Sequence, residues 1–354
     1  MNDEQAGSAA PARAAALAAK YYVGESALER DLRLVLGRHW QLVAQESQLP
    51  GAGDHVVATV GRTPVLVVRH PEEGLVALAN VCRHRAGPIA TCAGRGARSL
   101  HCRYHGWTYD LGGRLRHAPE MGGAEGFDPA AIRLPRFRAA AWQGLVFVSL
   151  SDDPPPLAEV YAGIAERIAP IELSSMEFAH RDSYDIACNW KVYVDNYLEG
   201  YHVPYIHPGL AKVVDYAAYH SELAPWHSLQ TSPLRNNEGL YGDGDVFYYF
   251  VYPNVMLNIM PGRLQVNRVL PNGPDRCLVE FDYYYALDDA ARARAERDRE
   301  FSEEIQQEDI DICEAVQRGL ASGTYGSGRL CPKREAGVWH FQELLRRDYA
   351  RPGE

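Results

Sequence analysis

The chain has 354 residues, 46% of them hydrophobic and 23% charged, which is ample apolar material for two globular domains. Its formal net charge of -10 argues against nucleic-acid binding, which needs a concentrated basic surface to meet phosphates. No run approaches the roughly 20 apolar residues that cross a bilayer.

Residues 1–20 are Ala-rich but open acidic and hold no continuous apolar core, so they read as a flexible tail and not as a secretory signal. "ALERDLRLVLGRHWQLV" (27–43) has apolar residues at helical spacing, and residues 21–40 are assigned to an N-terminal helix packing on the second domain. Over 41–150 the text changes to short β-rich runs, "HVVATVG", "TPVLVVRH", "GLVALANV" and "GLVFVSL", punctuated by Gly and Pro, as a small sandwich or meander reads. "SDDPPPL" (151–157) opens a linker assigned to 151–170, because successive prolines continue neither helix nor central strand.

Residues 171–354 mix types. "NWKVYVDNYLEGYH" (189–202) reads as a helix, "DVFYYFVY", "NVMLNIM", "RLQVNRVLP" and "RCLVEFDYYYAL" as strands, and roughly 288–320 as a long helix. Strands followed by a long helix predict an α+β domain, an antiparallel sheet wrapped on that helix.

Two segments in the β-rich region carry metal-ligand residue types: Cys82-x-His84, and after seventeen residues Cys102-x-x-His105. Zinc is one candidate, since tetrahedral Cys2His2 sites are common, but zinc fingers pair cysteine with cysteine and histidine with histidine along the chain. Here each loop supplies one of each. That alternation suits a 2Fe–2S cluster with two thiolates on one iron and two imidazoles on the other, the Rieske arrangement, whose neutral ligands raise the reduction potential. A carrier alone needs only about one such domain, so the remaining two hundred residues require another explanation.

The predicted helix 189–202 places Trp190, Val194, Tyr197 and Tyr201 on one stripe and Asp195, Glu199 and His202 roughly opposite. His207 follows just past Pro204. Two histidines and a carboxylate begin a non-haem iron site with open positions for oxygen; a solvated polar face with incidental histidines fits the same residues. On "FSEEIQQEDIDICEAVQRGL" (301–320), Phe301, Ile305, Ile312 and Val316 predict a buried stripe that includes Asp309, whereas Asp311 turns toward Gln307 and Glu314. A carboxylate on an apolar stripe is costly unless paired or metal-bound, so Asp309 is the expected third ligand and Asp311 a surface charge.

Together "CRHRAG…CRYHGWTYDLGGRL", "NWKVYVDNYLEGYHVPYIH" and "QEDIDICEAVQRGL" resemble the oxygenase (alpha) subunits of the Rieske non-haem iron oxygenases, over nearly the whole chain from Tyr21 to Glu343. The resemblance implies an all-β Rieske domain inserted in a helix-grip catalytic domain, with mononuclear iron on His202, His207 and Asp309. It also implies a homotrimer in which Glu199, where most members have Asp, links His202 to His105 of a neighbouring subunit. "CRHRAGP" and "DNYLEGYHVPYIHPGL" are similar to members acting on quaternary amines. The expected activity is thus hydroxylation and N-demethylation of a compound such as glycine betaine or choline. Aromatic hydroxylation or dihydroxylation is the alternative, and a carrier without catalysis a third.

The chain's 21 tyrosines suit a cation–π site for a methylammonium group, and Tyr197, Phe247 and Tyr249 are placed in the pocket from spacing alone. No dinucleotide or plant-type cluster motif is present, so NAD(P)H and flavin enter only through a separate reductase. Seven cysteines without disulfide-like spacing point to a reducing cytoplasm.

Overall fold

A computed structural model describes residues 10–213, 215–231, 246–260, 262–286 and 289–351. Residues 1–9 of the expected tail, Tyr241 and Asp245 of the tyrosine-rich stretch, and the start of the long helix at 288 lie outside the described residues. The chain divides into two compact units: Leu36–Leu157, and the segments before and after it.

In the Leu36–Leu157 unit, β1 (Gln41–Gln45), β2 (His55–Val60), β3 (Thr63–His70), β4 (Gly74–Ala79), β8 (Arg136–Trp142) and β9 (Leu145–Ser149) form a sheet ordered β1-β9-β8-β4-β3-β2. A small sheet holds β5 (Leu100–His101), β6 (Thr108–Tyr109) and β7 (Leu115–His117). The unbroken apolar run of β3 has a direct cause. Leu66 and Val68 pack on the core that contains Cys82, Cys102, Trp107 and Tyr109, while Val65 and Val67 pack on a second core with Val146 and Val148. A strand buried on both faces has no polar side to display. The proline run belongs to this unit: Trp40 Nε1 donates to the Pro155 carbonyl at 2.7 Å, and Arg138 to that of Asp152.

The other unit begins with buried Ala10, Ala14 and Leu17, inside the stretch read as a flexible tail. The helix read over 27–43 is shorter: α1 covers Glu25–Asp31, a π-type turn covers Leu32–Leu36, and Gln41–Gln45 is strand β1. After short helices α2 (Leu157–Val160) and α3 (Ile164–Ile168) come β10 (Glu177–Ile186), α4 (Trp190–Tyr197), α5 (Val203–Ile206) and α6 (Leu210–Val213). Next are β11 (His220–Leu223), β12 (His227–Thr231), β13 (Phe247–Val251), β14 (Val255–Met260), β15 (Arg263–Pro271) and β16 (Cys277–Tyr285). The long helix α7 (Asp289–Ala321) and α8 (Ala336–Tyr349) complete it. All seven strands pair antiparallel in the order β10-β16-β15-β14-β13-β12-β11.

Trp190 and Val194 of α4, Cys313 and Leu320 of α7 and Phe341 and Leu345 of α8 share a core with Val279, Phe281 and Tyr283 of the sheet. No described helix is long and apolar enough to cross a membrane.

The buried face of α7 differs from the predicted stripe. Val316 is 44% exposed, and Gln306, Cys313, Gln317 and Leu320 are the buried positions among its described side chains. Two of these are glutamines because they serve α4: Gln306 Oε1 accepts from Tyr193 at 2.6 Å, and Gln317 Oε1 from the Asn189 amide at 3.0 Å. A stripe sought by hydrophobicity alone misses a covered face that is partly glutamine, each carbonyl accepting a hydrogen bond.

Candidate metal centres

The Cys/His loops of the Leu36–Leu157 unit are conformational copies. The Cys82 amide donates to the Gly87 carbonyl at 2.8 Å and the Ala86 amide to the Cys82 carbonyl at 3.0 Å; Cys102 with Trp107, and Gly106 with Cys102, repeat this at 2.9 and 3.0 Å. The fourth residue after each cysteine has positive φ, 56° at Ala86 and 75° at Gly106. Both cysteines are buried, and both histidines stand at the surface with ring centroids 4.6 Å apart. His84 stacks on Trp107 at 4.9 Å, and Tyr104 lies over His105 at 3.8 Å.

Two features test whether these residues fit a cluster. A Cβ on Gly87 would lie 3.1 Å from Cys102 Sγ, so the first loop approaches the second cysteine as only glycine allows without adjustment. Burial pushes the Cys102 thiol up, and Cys82 pushes it further: two inward thiols ionise together only when a cation lies between them. The set fits. Tyr109 directs its hydroxyl at Cys82 Sγ, 3.2 Å away.

In the other unit α4 is capped by Asn189, whose side-chain oxygen accepts from the Lys191 amide at 3.1 Å. It ends at Tyr197, short of the helix expected to His202. Gly200 lies in the break because the Tyr219 ring sits 2.7 Å from where its Cβ would be. Pro204 occupies the first turn of α5. The break separates residues expected together: Asp195 accepts from Tyr22 at 2.5 Å and Gln342 at 3.1 Å, while Glu199 turns to His202.

His202, His207 and Asp309 converge, each offering one ligand atom, with these atoms all within 4.8 Å of one another. Nε2 of His207 lies 3.1 Å from Nε2 of His202 and 3.1 Å from Asp309 Oδ1, and His202 Nε2 lies 3.8 Å from that oxygen. Each Nδ1 is held by another carboxylate, His202 by Glu199 Oε1 at 2.6 Å and His207 by Glu308 Oε2 at 2.7 Å. With both Nδ1–H groups donating outward, two Nε2 lone pairs and a carboxylate oxygen face one another, a donor set that a divalent cation stabilises. Burial lowers the His207 imidazolium, and the carboxylates of Asp309 and Glu308 outweigh it, so its affinity for a positive charge is raised. Asn196 Nδ2 donates to Asp309 Oδ1 at 2.6 Å. Asp311 is exposed and accepts from Gln307 at 2.9 Å. Glu308 and Asn196 escaped the sequence reading, although Glu308 sits beside Asp309 in "QEDID".

The group opens on a cavity walled by Tyr193, Tyr197, Tyr216, Tyr219 and Tyr248. Its floor is one register row across the sheet, Gln230, Tyr248, Asn258, Gln265 and Tyr283, of which all but Tyr283 line the cavity. Among the expected pocket residues Tyr197 lines it, donating to Asn258 Oδ1 at 2.7 Å. Phe247 and Tyr249 do not. They flank Tyr248 on β13 and project from the opposite face, where Tyr249 meets His227 at 5.7 Å between ring centroids. A one-residue slip along a strand exchanges faces.

Family models agree with both units. Residues 39–135 match the Rieske [2Fe-2S] domain, and residues 173–351 the ring hydroxylating alpha subunit (catalytic domain). The chain is 34% identical to choline monooxygenase, chloroplastic, of Arabidopsis thaliana, covering 94% of this chain and 82% of that protein. It is 28% identical to the carnitine monooxygenase oxygenase subunit of Escherichia coli (strain K12), covering 95% and 94%. A crystal structure of the quaternary ammonium Rieske monooxygenase CntA superposes with a TM-score of 0.86 at 25% identity over 99% of both chains. With its 2Fe–2S domain inserted in a catalytic domain for mononuclear iron, the chain belongs to the Rieske non-haem iron oxygenases and is an oxidoreductase.

Proposed function

We propose that this chain is the terminal oxygenase of a monooxygenase that hydroxylates an N-methyl carbon of a small quaternary methylammonium compound. The observation that carries this reading is the tyrosine-walled cavity onto which the His202–His207–Asp309 group opens. Three of those tyrosines have their hydroxyls engaged, Tyr193 with Gln306, Tyr197 with Asn258 and Tyr219 with Gln230, which fixes the rings. Aromatic faces attract a desolvated quaternary ammonium by about 2 kcal/mol or more each. The relatives' names, choline and carnitine monooxygenase, support the same substrate class.

In this reading Cys82, His84, Cys102 and His105 hold the 2Fe–2S cluster, and His202, His207 and Asp309 hold the mononuclear iron. Iron so held activates O2, and the cluster supplies its electrons. Glu199 and Glu308 keep the two Nδ1 protons, and Asn196 orients Asp309. The tyrosine wall holds the ammonium and excludes water. One oxygen atom enters a C–H bond of the methyl group, so that C–H breaks and C–O and O–H form; the N–C bond of the resulting hydroxymethyl ammonium then breaks, giving formaldehyde, a tertiary amine and a proton. The second oxygen atom leaves as water, using two protons and two electrons.

Rieske oxygenases take electrons from a separate reductase; here a flavin and iron–sulfur protein oxidising NAD(P)H is proposed. We further propose a cytoplasmic homotrimer in which Glu199 joins His202 to His105 of a neighbouring copy. The place of Glu199 on His202 Nδ1 supports the bridge, and seven cysteines outside any disulfide, two of them assigned to the cluster, support a reducing compartment.

A single turnover tests the reading. Chemically reduced protein with O2 and glycine betaine, carnitine, choline or an aromatic acid is followed by mass spectrometry. Formaldehyde with a demethylated amine is expected; a hydroxylated ring without formaldehyde overturns the substrate class.

A further inference from the structure

The cavity has a second pole. Arg263, Gln265 and Asn267 of β15 alternate onto its face, and all three line it while no more than 5% exposed. Arg263 is the only arginine or lysine among the described lining residues. Its guanidinium lies over the Tyr283 ring at 5.6 Å, and its Nη2 donates to Gln265 Oε1 at 2.7 Å. Gln265 Nε2 in turn donates to Asn267 Oδ1 at 3.1 Å. The amide carbonyls are thus turned toward their own neighbours in a single direction, which stiffens the row.

Position gives this pole its meaning. Tyr283 donates to Ser302 of α7 at 3.1 Å, so the guanidinium stands near the level of Ser302, and Asp309 lies seven residues further along the same helix. Seven residues at 1.5 Å rise make about 10 Å. A metal-ligand group, tyrosine rings on the walls and a buried guanidinium in the same cavity match a molecule with a cationic head and an anionic tail. A guanidinium that lines a substrate cavity can pair bidentately with a carboxylate.

We propose that Arg263 is a specificity-determining residue that binds a carboxylate, so that the substrate is a zwitterionic betaine and not choline. The proposal rests on the methylammonium reading of the same cavity and narrows it. Choline, of nearly the same shape as glycine betaine, has a hydroxymethyl in place of the carboxylate and brings only positive charge toward the arginine.

The test measures binding to the iron-loaded holoenzyme by calorimetry, with glycine betaine, γ-butyrobetaine, choline and benzoate as ligands, for the wild type, Arg263→Gln and Arg263→Lys. Retention of the 2Fe–2S absorption spectrum establishes folding of each variant. We expect at least one betaine to bind the wild type at least tenfold more tightly than choline. Arg263→Gln should weaken that betaine about 100-fold and leave choline within threefold, with Arg263→Lys between. Tighter binding of choline by the wild type, or equal loss of both ligands in Arg263→Gln, overturns the role of Arg263 alone. Binding of benzoate with no methylammonium compound bound overturns the underlying substrate reading and this proposal with it.

Discussion

Oε1 of Glu199 lies 2.6 Å from Nδ1 of His202, and this contact decides which nitrogen the ring turns toward His207 and Asp309. Its Oε2 also accepts from the backbone amides of Tyr201 and His202, so the carboxylate is fixed on the break that ends α4. Glu199→Gln should therefore retain both kinds of iron yet slow reoxidation of the reduced cluster by about 100-fold or more in a single turnover. Stopped-flow absorbance measures it; loss of iron in place of a slower rate assigns Glu199 to metal retention.

Tyr109 supplies a second electronic handle. Its hydroxyl lies 3.2 Å from Cys82 Sγ and, donating to that sulfur, would stabilise the extra negative charge of a reduced cluster held there. A hydrogen bond of about 1 kcal/mol corresponds to roughly 40 mV for one electron. Tyr109→Phe should lower the midpoint potential by a few tens of mV, read by redox titration; an unchanged or raised potential contradicts this.

In the first turn of α4, Lys191 is fully buried against Asp31, which also accepts from Trp190 at 2.8 Å and Tyr349 at 2.5 Å. Lys191→Met leaves a buried carboxylate without its cation and should cost about 3–5 kcal/mol. Lys191→Met with Asp31→Asn should recover part of that loss. Denaturant melts of both variants check it, and a single variant as stable as the wild type contradicts it.

Asp195 gives a pH dependence. Burial pushes its carboxyl up to about 7, despite hydrogen bonds from Tyr22 and Gln342. The folded state thus holds a proton that the unfolded chain releases at lower pH, so this contribution is full at low pH and lost as pH rises toward 7. Relative to Asp195→Asn, the wild type should lose thermal stability between pH 5.5 and 8. A gain over that interval reverses the sign and rejects the assignment.

How much of this was legible depended on whether chemistry or hydrophobicity carried the signal. Cys82, His84, Cys102 and His105 stand out because ligand types alternate at short spacing. Asp309 was found on the correct side of α7 through a stripe that included exposed Val316, since the covered face is partly glutamine. The break after Tyr197 was hidden because apolar spacing continues through Leu198 and Val203, and only Gly200 hinted at it. In "FYYFVY" both parities are aromatic or aliphatic, so no alternation told Tyr248 from Phe247 and Tyr249. Gln265 and Arg263 drew no notice because polar residues in a strand read as solvent-facing until a cavity is seen behind them.

Two iron sites that divide the labour of electron supply and oxygen chemistry differ in what one substitution removes. Iron, acid-labile sulfide and formaldehyde are quantified for the wild type and Asp309→Ala after one turnover of reduced protein with the betaine substrate. Three irons and two sulfides per wild-type chain with formaldehyde released are expected, and two irons, two sulfides and no formaldehyde for the variant. Full iron content and undiminished formaldehyde in Asp309→Ala would contradict this division of labour.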